Sequence, residues 1–248
     1  MGVYGFLRAI FCKNARQSSG CTGAKESFFA ELAKRMDTQG LSYLGVEALV
    51  DLAQTMVEVD ELGVPGIVLE AGCALGGSAI VLAAAKGEGR PLHVYDVFGM
   101  IPEPSVHDGP DVHQRYEVIR SGCSEGLKGG AYYGYTPDLL TIISKNFADA
   151  GYPAHQNTVH FVKGLYENTL YPKDLIALAH IDCDWYESVK VCLERIGPCL
   201  PVGGRMVIDD YDHYSGCRLA VDEYVARHGN EFKCERRVRL HIVRVEVA

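Results

Sequence analysis

From Ile67 onward the sequence alternates short apolar runs with helix-patterned segments, and no other feature constrains the fold as tightly. Ile67–Glu70 predicts a first strand, followed by a glycine turn and a small-residue helix over Ser78–Lys86. Further strands are predicted at Leu92–Tyr95, ending at Asp96, at Val159–Val162, at Ile176–Ile181 and at Met206–Ile208. Helices are predicted near Leu139–Ala150 and over Ser188–Ile196 and Cys217–His228. Strands that alternate with helices imply right-handed crossovers and a parallel sheet covered on both faces. Two closing strands, about Phe232–Arg236 and Leu240–Val245, have no helix between them and imply an antiparallel hairpin at one edge.

Outside this alternation the pattern is weaker. Residues 1–40 read as irregular, with Ser18, Ser19, Gly20, Thr22 and Gly23 marking a flexible stretch. Leu49, Leu52, Ala53, Met56 and Val59 recur at helical spacing within Leu41–Leu62, and Gly63-Val64-Pro65-Gly66 ends that helix. Phe98–Gly134 is a Pro-, Gly- and His-rich excursion and the least regular part. With no repeat and no low-complexity linker, one domain over 1–248 is expected, in which 1–62 serves as an N-terminal helical lid or oligomerisation segment and 98–135 as an insert.

Composition removes several function classes. A formal net charge of -8 argues against a nucleic-acid backbone as the main partner, because phosphate binding needs clustered Lys and Arg. The one dense basic run, Arg236-Arg237-Val238-Arg239, reads as a solvated strand end. Nine cysteines at irregular spacing, with no C-x-x-C pair, read as reduced thiols that pack as small hydrophobes, which points to a cytoplasmic protein. Met1–Lys13 lacks the long apolar core of a signal peptide, Phe6 stands where a myristoylation motif needs Ser or Thr, and no stretch is apolar enough to span a bilayer.

In an open α/β sheet ligands bind beyond the carboxyl ends of the strands, so the residues just after each strand carry the chemistry. The first strand runs into Glu70-Ala71-Gly72-Cys73-Ala74-Leu75-Gly76-Gly77-Ser78. Glycines there admit close backbone approach, and the helix N-terminus that follows favours an anionic group such as the methionine carboxylate, which Ser78 could bond if it does not cap the helix. The pattern is not G-x-G-x-x-G, so no dinucleotide fingerprint is met. Asp96, ending the second strand, suits the hydroxyls of an adenosine ribose. The sharpest signal is Asp182 and Asp184 after the fourth strand and Asp209 and Asp210 after the fifth, with Asp209 following Asp182 by 27 residues, one α/β unit. Adjacent parallel strands bring these carboxylates to one rim, where they repel unless protonated or neutralised by a cation. An all-oxygen set selects a hard ion such as Mg²⁺. His113 reads as a surface residue that could line a pocket, His180 as a satisfied core histidine, and Trp185 as stacking on substrate or packing under the rim.

At these positions the chain resembles the macrocin O-methyltransferase (TylF/MycF-type) family. The resemblance rests on Val64-Pro65-Gly66, Glu70-x-Gly-x-x-x-Gly-Gly-Ser, Val94-Tyr95-Asp96-x-Phe98, Lys163-Gly164-Leu165-Tyr166-Glu167-Asn168-Thr169-Leu170, His180-Ile181-Asp182-x-Asp184-x-Tyr186-x-Ser188 and Ile208-Asp209-Asp210-Tyr211. It implies the class I methyltransferase (Rossmann-like) fold, a mainly parallel seven-stranded sheet with an antiparallel edge hairpin. It also implies S-adenosylmethionine and Mg²⁺ as cofactors and methyl transfer to a hydroxyl of a sugar or glycosylated natural product. By resemblance Asp182, Asp209 and Asp210 hold the metal and Asp184 stands beside the reacting hydroxyl. Glu70, Gly72, Ser78, Asp96 and Phe98 surround S-adenosylmethionine, with Lys163 and Gly164 near the adenine. Either Asp184 or Asp182 takes the hydroxyl proton. The chain departs from the family in Ala74-Leu75 before the glycine pair, in Gly99-Met100 after Phe98 and in the insert around Asp108–Tyr135. The expected partner is a small, glycosylated acceptor, with homo-oligomerisation possible. The alternatives are a non-sugar hydroxyl as acceptor, a nicotinamide-dependent oxidoreductase, a phosphatase using the Asp-x-Asp, and a binding protein without activity.

Overall fold

The computed structural model describes residues 21–247. The expectations for Met1–Lys13, Ser18, Ser19 and Gly20 therefore lie outside the described residues. Strands β1 (Ile67–Ala71), β2 (Leu92–Asp96), β3 (Val159–Lys163), β4 (Ile176–Ile181), β5 (Arg205–Ile208), β6 (Phe232–Arg236) and β7 (Leu240–Arg244) form one seven-stranded sheet in the order β3-β2-β1-β4-β5-β7-β6. Neighbours from β3 to β5 are parallel, and β7 runs antiparallel between β5 and β6. The hairpin thus does close one edge, with its second strand inserted against β5. Strands β1 and β4, central in this order, are wholly buried, which explains their continuous apolar character.

Two apolar layers flank the sheet. On one face, helices α1 (Cys21–Thr38), α2 (Val46–Glu61), α3 (Gly77–Ala85) and α5 (Leu139–Asp149) cover Val68, Leu92, Val94, Leu178 and Val207. The other face carries Leu69, Ala179, Ile181, Met206 and Ile208 against α6 (Tyr166–Thr169), α7 (Tyr186–Ile196) and α8 (Ser215–His228). The remaining helix, α4 (Pro110–Arg120), lies in the long excursion after β2.

Three sequence readings need correction. Residues 21–38, taken as irregular, are helical, and Phe29, Leu32, Ala33 and Met36 bury an i, i+3, i+4, i+7 stripe in the core. Gly and Ser just upstream masked that stripe. The excursion, read as the least regular part, holds one α-helix that the reading did not place: Pro110 at the first turn opens α4, a position where a missing N–H costs nothing. Nor is the basic run merely solvated. Arg237 forks onto Glu58 of α2 at 2.6 and 3.0 Å, Arg239 holds Asp209 at 2.6 Å, and Arg236 pairs with Asp212. The Arg237–Glu58 pair, with His241 against Asp51 at 3.2 Å, ties α2 to the hairpin end of the sheet, while the other two pairs hold the segment after β5. Cys73, Cys123, Cys183, Cys192, Cys199, Cys217 and Cys234 are all free thiols.

The ends of β1 and β4 meet at Gly72, which sits at φ +87°. Asp182 N–H donates to Ala71 O at 2.9 Å, and a Cβ on Gly72 would lie 1.8 Å from the Asp182 carbonyl oxygen. Gly72→Ala combines a left-handed backbone penalty with overpacking, so urea unfolding should show a loss of about 2–4 kcal/mol. A midpoint and slope equal to wild type would show that the two strand ends are not held this closely.

Candidate active site

Both α/β turns that carry acids open on the same cleft. Its larger lobe, about 360 Å³, is lined by Gly72, Ala74 and Asp96 on one side and by Asp182, Asp184, Asp209 and Asp210 on the other. A smaller lobe runs under Val97 and Gly99 to Leu165 and Tyr166. The predicted acids are therefore brought together, beside the glycine turn. They are also electrostatically stressed. Burial, then Asp209, Asp210 and Asp184, pushes the Asp182 carboxyl well above the usual range. Asp184 is pushed up to about 7 by burial and by Asp209, against the opposing pull of Arg115. Burial and the charges of Asp184 and Asp209 raise Asp210, which accepts the Asp184 backbone N–H at 3.2 Å. Arg239 holds one oxygen of Asp209.

Backbone strain collects at this rim. Ala74, Phe98 and Asp184, which follow β1, β2 and β4, take positive φ of 45°, 47° and 58°. Such conformations cost energy for residues with a Cβ and persist where surrounding contacts fix them. For Phe98 the fixing contact is its N–H, donated to Asp96 Oδ1 at 2.7 Å. Asp96 Oδ2 accepts the Cys73 N–H at 2.9 Å. One carboxylate thus ties the end of β2 to the glycine turn after β1. Burial raises its pKa, with the Cys73 and Phe98 amides opposing.

Not every predicted contact residue faces the cleft. Gly72 and Asp96 line both lobes. Glu70 lies fully buried behind the turn, with Ser78 Oγ donating to one oxygen and His180 Nδ1 at 3.1 Å from the other. His180 is buried in the core as its strand position predicts, but it is only half satisfied: Nδ1 meets Glu70, whereas the buried Nε2 has no hydrogen-bond partner among the described residues. Burial pulls its pKa down, but Glu70 outweighs this and the net shift is upward. Ser78 is inward-facing, and the N–H of Gly77 at the start of α3 is taken by Leu41 O at 2.9 Å. Phe98 is buried edge-on to Phe161. Lys163 ends β3 and Gly164 follows it, and the next two residues, Leu165 and Tyr166, form the wall. His113 is exposed.

The other wall was not legible in the motifs. Tyr43, Arg115, Tyr132, Tyr133 and Tyr214 face the acids across the larger lobe. His213 joins Asp209 and Asp210, the ligand atoms of the three lying within 4.8 Å of one another. The aromatic pair Tyr132-Tyr133 in a glycine-rich loop was the available signal. Trp185 both lines the lobe and packs under it, donating from Nε1 to Pro102 O at 3.0 Å.

The insert is fastened to the acid-bearing turns by two carboxylates. Buried Asp108 accepts the Tyr186 N–H at 2.8 Å at the start of α7, and also the Ser105 N–H at 2.8 Å. Asp111 accepts from Ser215 N–H at 2.9 Å and from Ser215 Oγ at 2.5 Å at the start of α8. Each serves as a remote N-cap, supplying an acceptor to an orphan helix donor and a negative charge to the positive end of the helix. Gly216 permits this packing, since a Cβ there would meet Asp108 Oδ1 at 1.9 Å.

Comparison with known proteins places the chain in a family and matches its fold. The sequence model of the family described as Macrocin-O-methyltransferase (TylF) matches residues 5–235. The 8-demethyl-8-(2,3-dimethoxy-alpha-L-rhamnosyl)-tetracenomycin-C 4'-O-methyltransferase of Streptomyces olivaceus is 32% identical over 192 residues, 75% of this chain and 68% of that protein. Mycinamicin III 3''-O-methyltransferase of Micromonospora griseorubida is 29% identical over 219 residues, 82% of this chain and 79% of that protein. The solved structure of the O-methyltransferase NovP superposes with a TM-score of 0.73 at 22% identity, covering 90% of this chain and 99% of that one, which speaks to the fold. Among the described residues no helix is long and apolar enough to cross a membrane.

Because Asp108 is the buried link between the insert and α7, Asp108→Ala leaves a helix donor unsatisfied. It should lower stability by about 1–2 kcal/mol. Trp185, which directly follows Asp184, should shift its emission to the red as Pro102 lets go. An unchanged spectrum and melting temperature would mean the insert is held by other contacts.

Proposed function

The chain belongs to the macrocin O-methyltransferase family, and from that premise we propose that it transfers the methyl group of S-adenosylmethionine to a hydroxyl of a sugar ring on a glycosylated small molecule. The observation that carries this reading is the single cleft into which Gly72 and Asp96 open beside Asp182, Asp184, Asp209 and Asp210. The sugar acceptor is supported by the relatives, one named for a rhamnosyl-tetracenomycin 4'-hydroxyl and another for a 3''-hydroxyl of mycinamicin III.

The donor set fits a hard divalent cation. Asp182, Asp209 and Asp210 offer oxygens only, and their mutual repulsion in a partly closed cleft is the cost that such a cation removes. Arg239 occupies one oxygen of Asp209 and leaves the other available. We assign the metal to these three residues, Mg²⁺ being the ion that suits them. When bound, the cation supplies stabilisation of negative charge and S-adenosylmethionine supplies an electrophilic methyl group.

This chain's own residues do the rest. Gly72 and Asp96 border the donor half. Within the same reading Glu70 and Ser78 shape the glycine turn from behind, Phe98 does so from beneath, and Lys163 with Gly164 flanks the adenine end. A sugar hydroxyl is a weak nucleophile whose proton must leave as the new C–O bond forms. Asp184, or Asp182 beside it, receives that proton. Fixing the oxygen against the donor lowers the entropic barrier. Tyr132, Tyr133 and Tyr214 restrict water on the acceptor side. The 98–135 insert forms that acceptor wall, which is where relatives with different acceptors are free to differ.

Two measurements test the reading. S-adenosylhomocysteine should raise the melting temperature, whereas NAD should not. Stabilisation by NAD alone would overturn the assignment in favour of an oxidoreductase. Asp209→Asn should retain S-adenosylhomocysteine binding within about threefold yet lose methylation of 6-deoxyhexosyl glycosides by about 10³-fold or more, read by product mass spectrometry. Full activity of that variant in excess chelator would remove the metal from the proposal.

A further inference from the structure

Arg115 is the feature of the cleft that methyl transfer leaves unexplained. It lies on α4, one helical turn beyond Asp111, so the residue that pins α4 to α8 and the residue that faces the cleft share one side of the helix. Its guanidinium lies 5.8 Å from the centroid of the Tyr132 ring and beside the Tyr214 phenol, and it lines the lobe opposite Asp184. Among the described residues it forms no ion pair within 4.0 Å. The other cleft arginine, Arg239, is committed to Asp209.

The two phenols beside Arg115 cannot neutralise it, and Asp184, which it offsets across the lobe, forms no ion pair with it within 4.0 Å. Burial raises the Tyr132 phenol well above its usual range, and burial with the charges of Asp184 and Asp210 pushes the Tyr214 phenol up to about 12, so both stay neutral. A guanidinium is always charged and presents five donors in a planar fork that matches a carboxylate or phosphate. Facing the cleft and only partly exposed, that fork gains most from an anion supplied by the ligand. The acid end and the Arg115 end therefore ask for opposite chemistry.

We propose that Arg115, flanked by Tyr132 and Tyr214, is a subsite for an anionic substituent on the acceptor, a carboxylate or a phosphoryl group, carried on the same molecule as the methylated hydroxyl. This rests on the reading of the cleft as an acceptor site. Arg115 selects which acceptors bind and takes no part in the transfer itself. The clamp formed by Asp108 and Asp111 sets its position, which makes the insert a specificity element.

The single tryptophan of the chain, Trp185, lines the same lobe and reports occupancy by its fluorescence. The full chain with Mg²⁺ and S-adenosylhomocysteine would be titrated with methyl glucoside, glucuronic acid and glucose 1-phosphate. At least one anionic sugar should bind about tenfold or more tighter than the neutral one. Preference for glucuronic acid alone identifies a carboxylate subsite, and preference for glucose 1-phosphate alone a phosphoryl subsite. Arg115→Gln should abolish the preference, and Arg115→Lys should keep part of it. Equal or undetectable binding of all three sugars to the wild type overturns the inference, as it would if Arg115 served only to offset Asp184. So does a preference that survives in Arg115→Gln. Calorimetry of S-adenosylhomocysteine on the same samples reads the methyl-transfer assignment separately and shows whether each variant is folded.

Discussion

Everything at the working end of this protein depends on how closely the backbone of β1 approaches that of β4. Gly72 leaves room for the Asp182 carbonyl where a methyl group could not fit, and the Asp182 amide completes the contact by donating to Ala71. That contact sets the glycine turn and Asp96 against the four carboxylates. Without it the two halves would be neighbouring features of a sheet rim, and with it they form one cleft. The sheet supplies the frame, because β1 and β4 are central and wholly buried and so have little freedom to part.

Holding four aspartates in one cleft costs electrostatic energy, and the surrounding structure is arranged to bear it. Arg239 reaches back from the hairpin to Asp209, the Asp184 amide serves Asp210, and Arg115 offsets Asp184. Asp182 and Asp210 are left high in pKa, the condition of carboxylates that await a cation or a proton. The antiparallel strand pair thus does more than close an edge: its turn brings a positive charge to the acids and, through Arg237 and Glu58, anchors α2.

The insert after β2 is the complementary half. Asp108 and Asp111 engage the starts of α7 and α8, the two helices that follow the acid-bearing turns. Any shift of the insert is therefore felt at the acids, and its aromatic and cationic side chains move with it. Family membership accounts for the transferase chemistry, whereas this wall is where the chain can differ from its relatives.

The sequence by itself determined the strand order's raw material and the acid cluster. Apolar runs with acids at their carboxyl ends can only become parallel strands with those acids on one rim, so Asp96, Asp182, Asp184, Asp209 and Asp210 were legible before any coordinates. Period and position also exposed His180 as a core residue. Tertiary structure alone decided which motif residues face the cleft. Glu70 and Ser78 share a motif with Gly72, yet their side chains turn inward to His180 and to each other, because side-chain direction depends on packing that spacing does not encode. The same limit hid Tyr214, only four residues beyond Asp210, and Tyr43, Arg115 and Tyr132, which line the cleft from segments remote in sequence. It also hid α4 and the first helix, whose Gly-, Ser- and Pro-rich surroundings obscure a helical pattern that only burial against the rest of the chain makes stable.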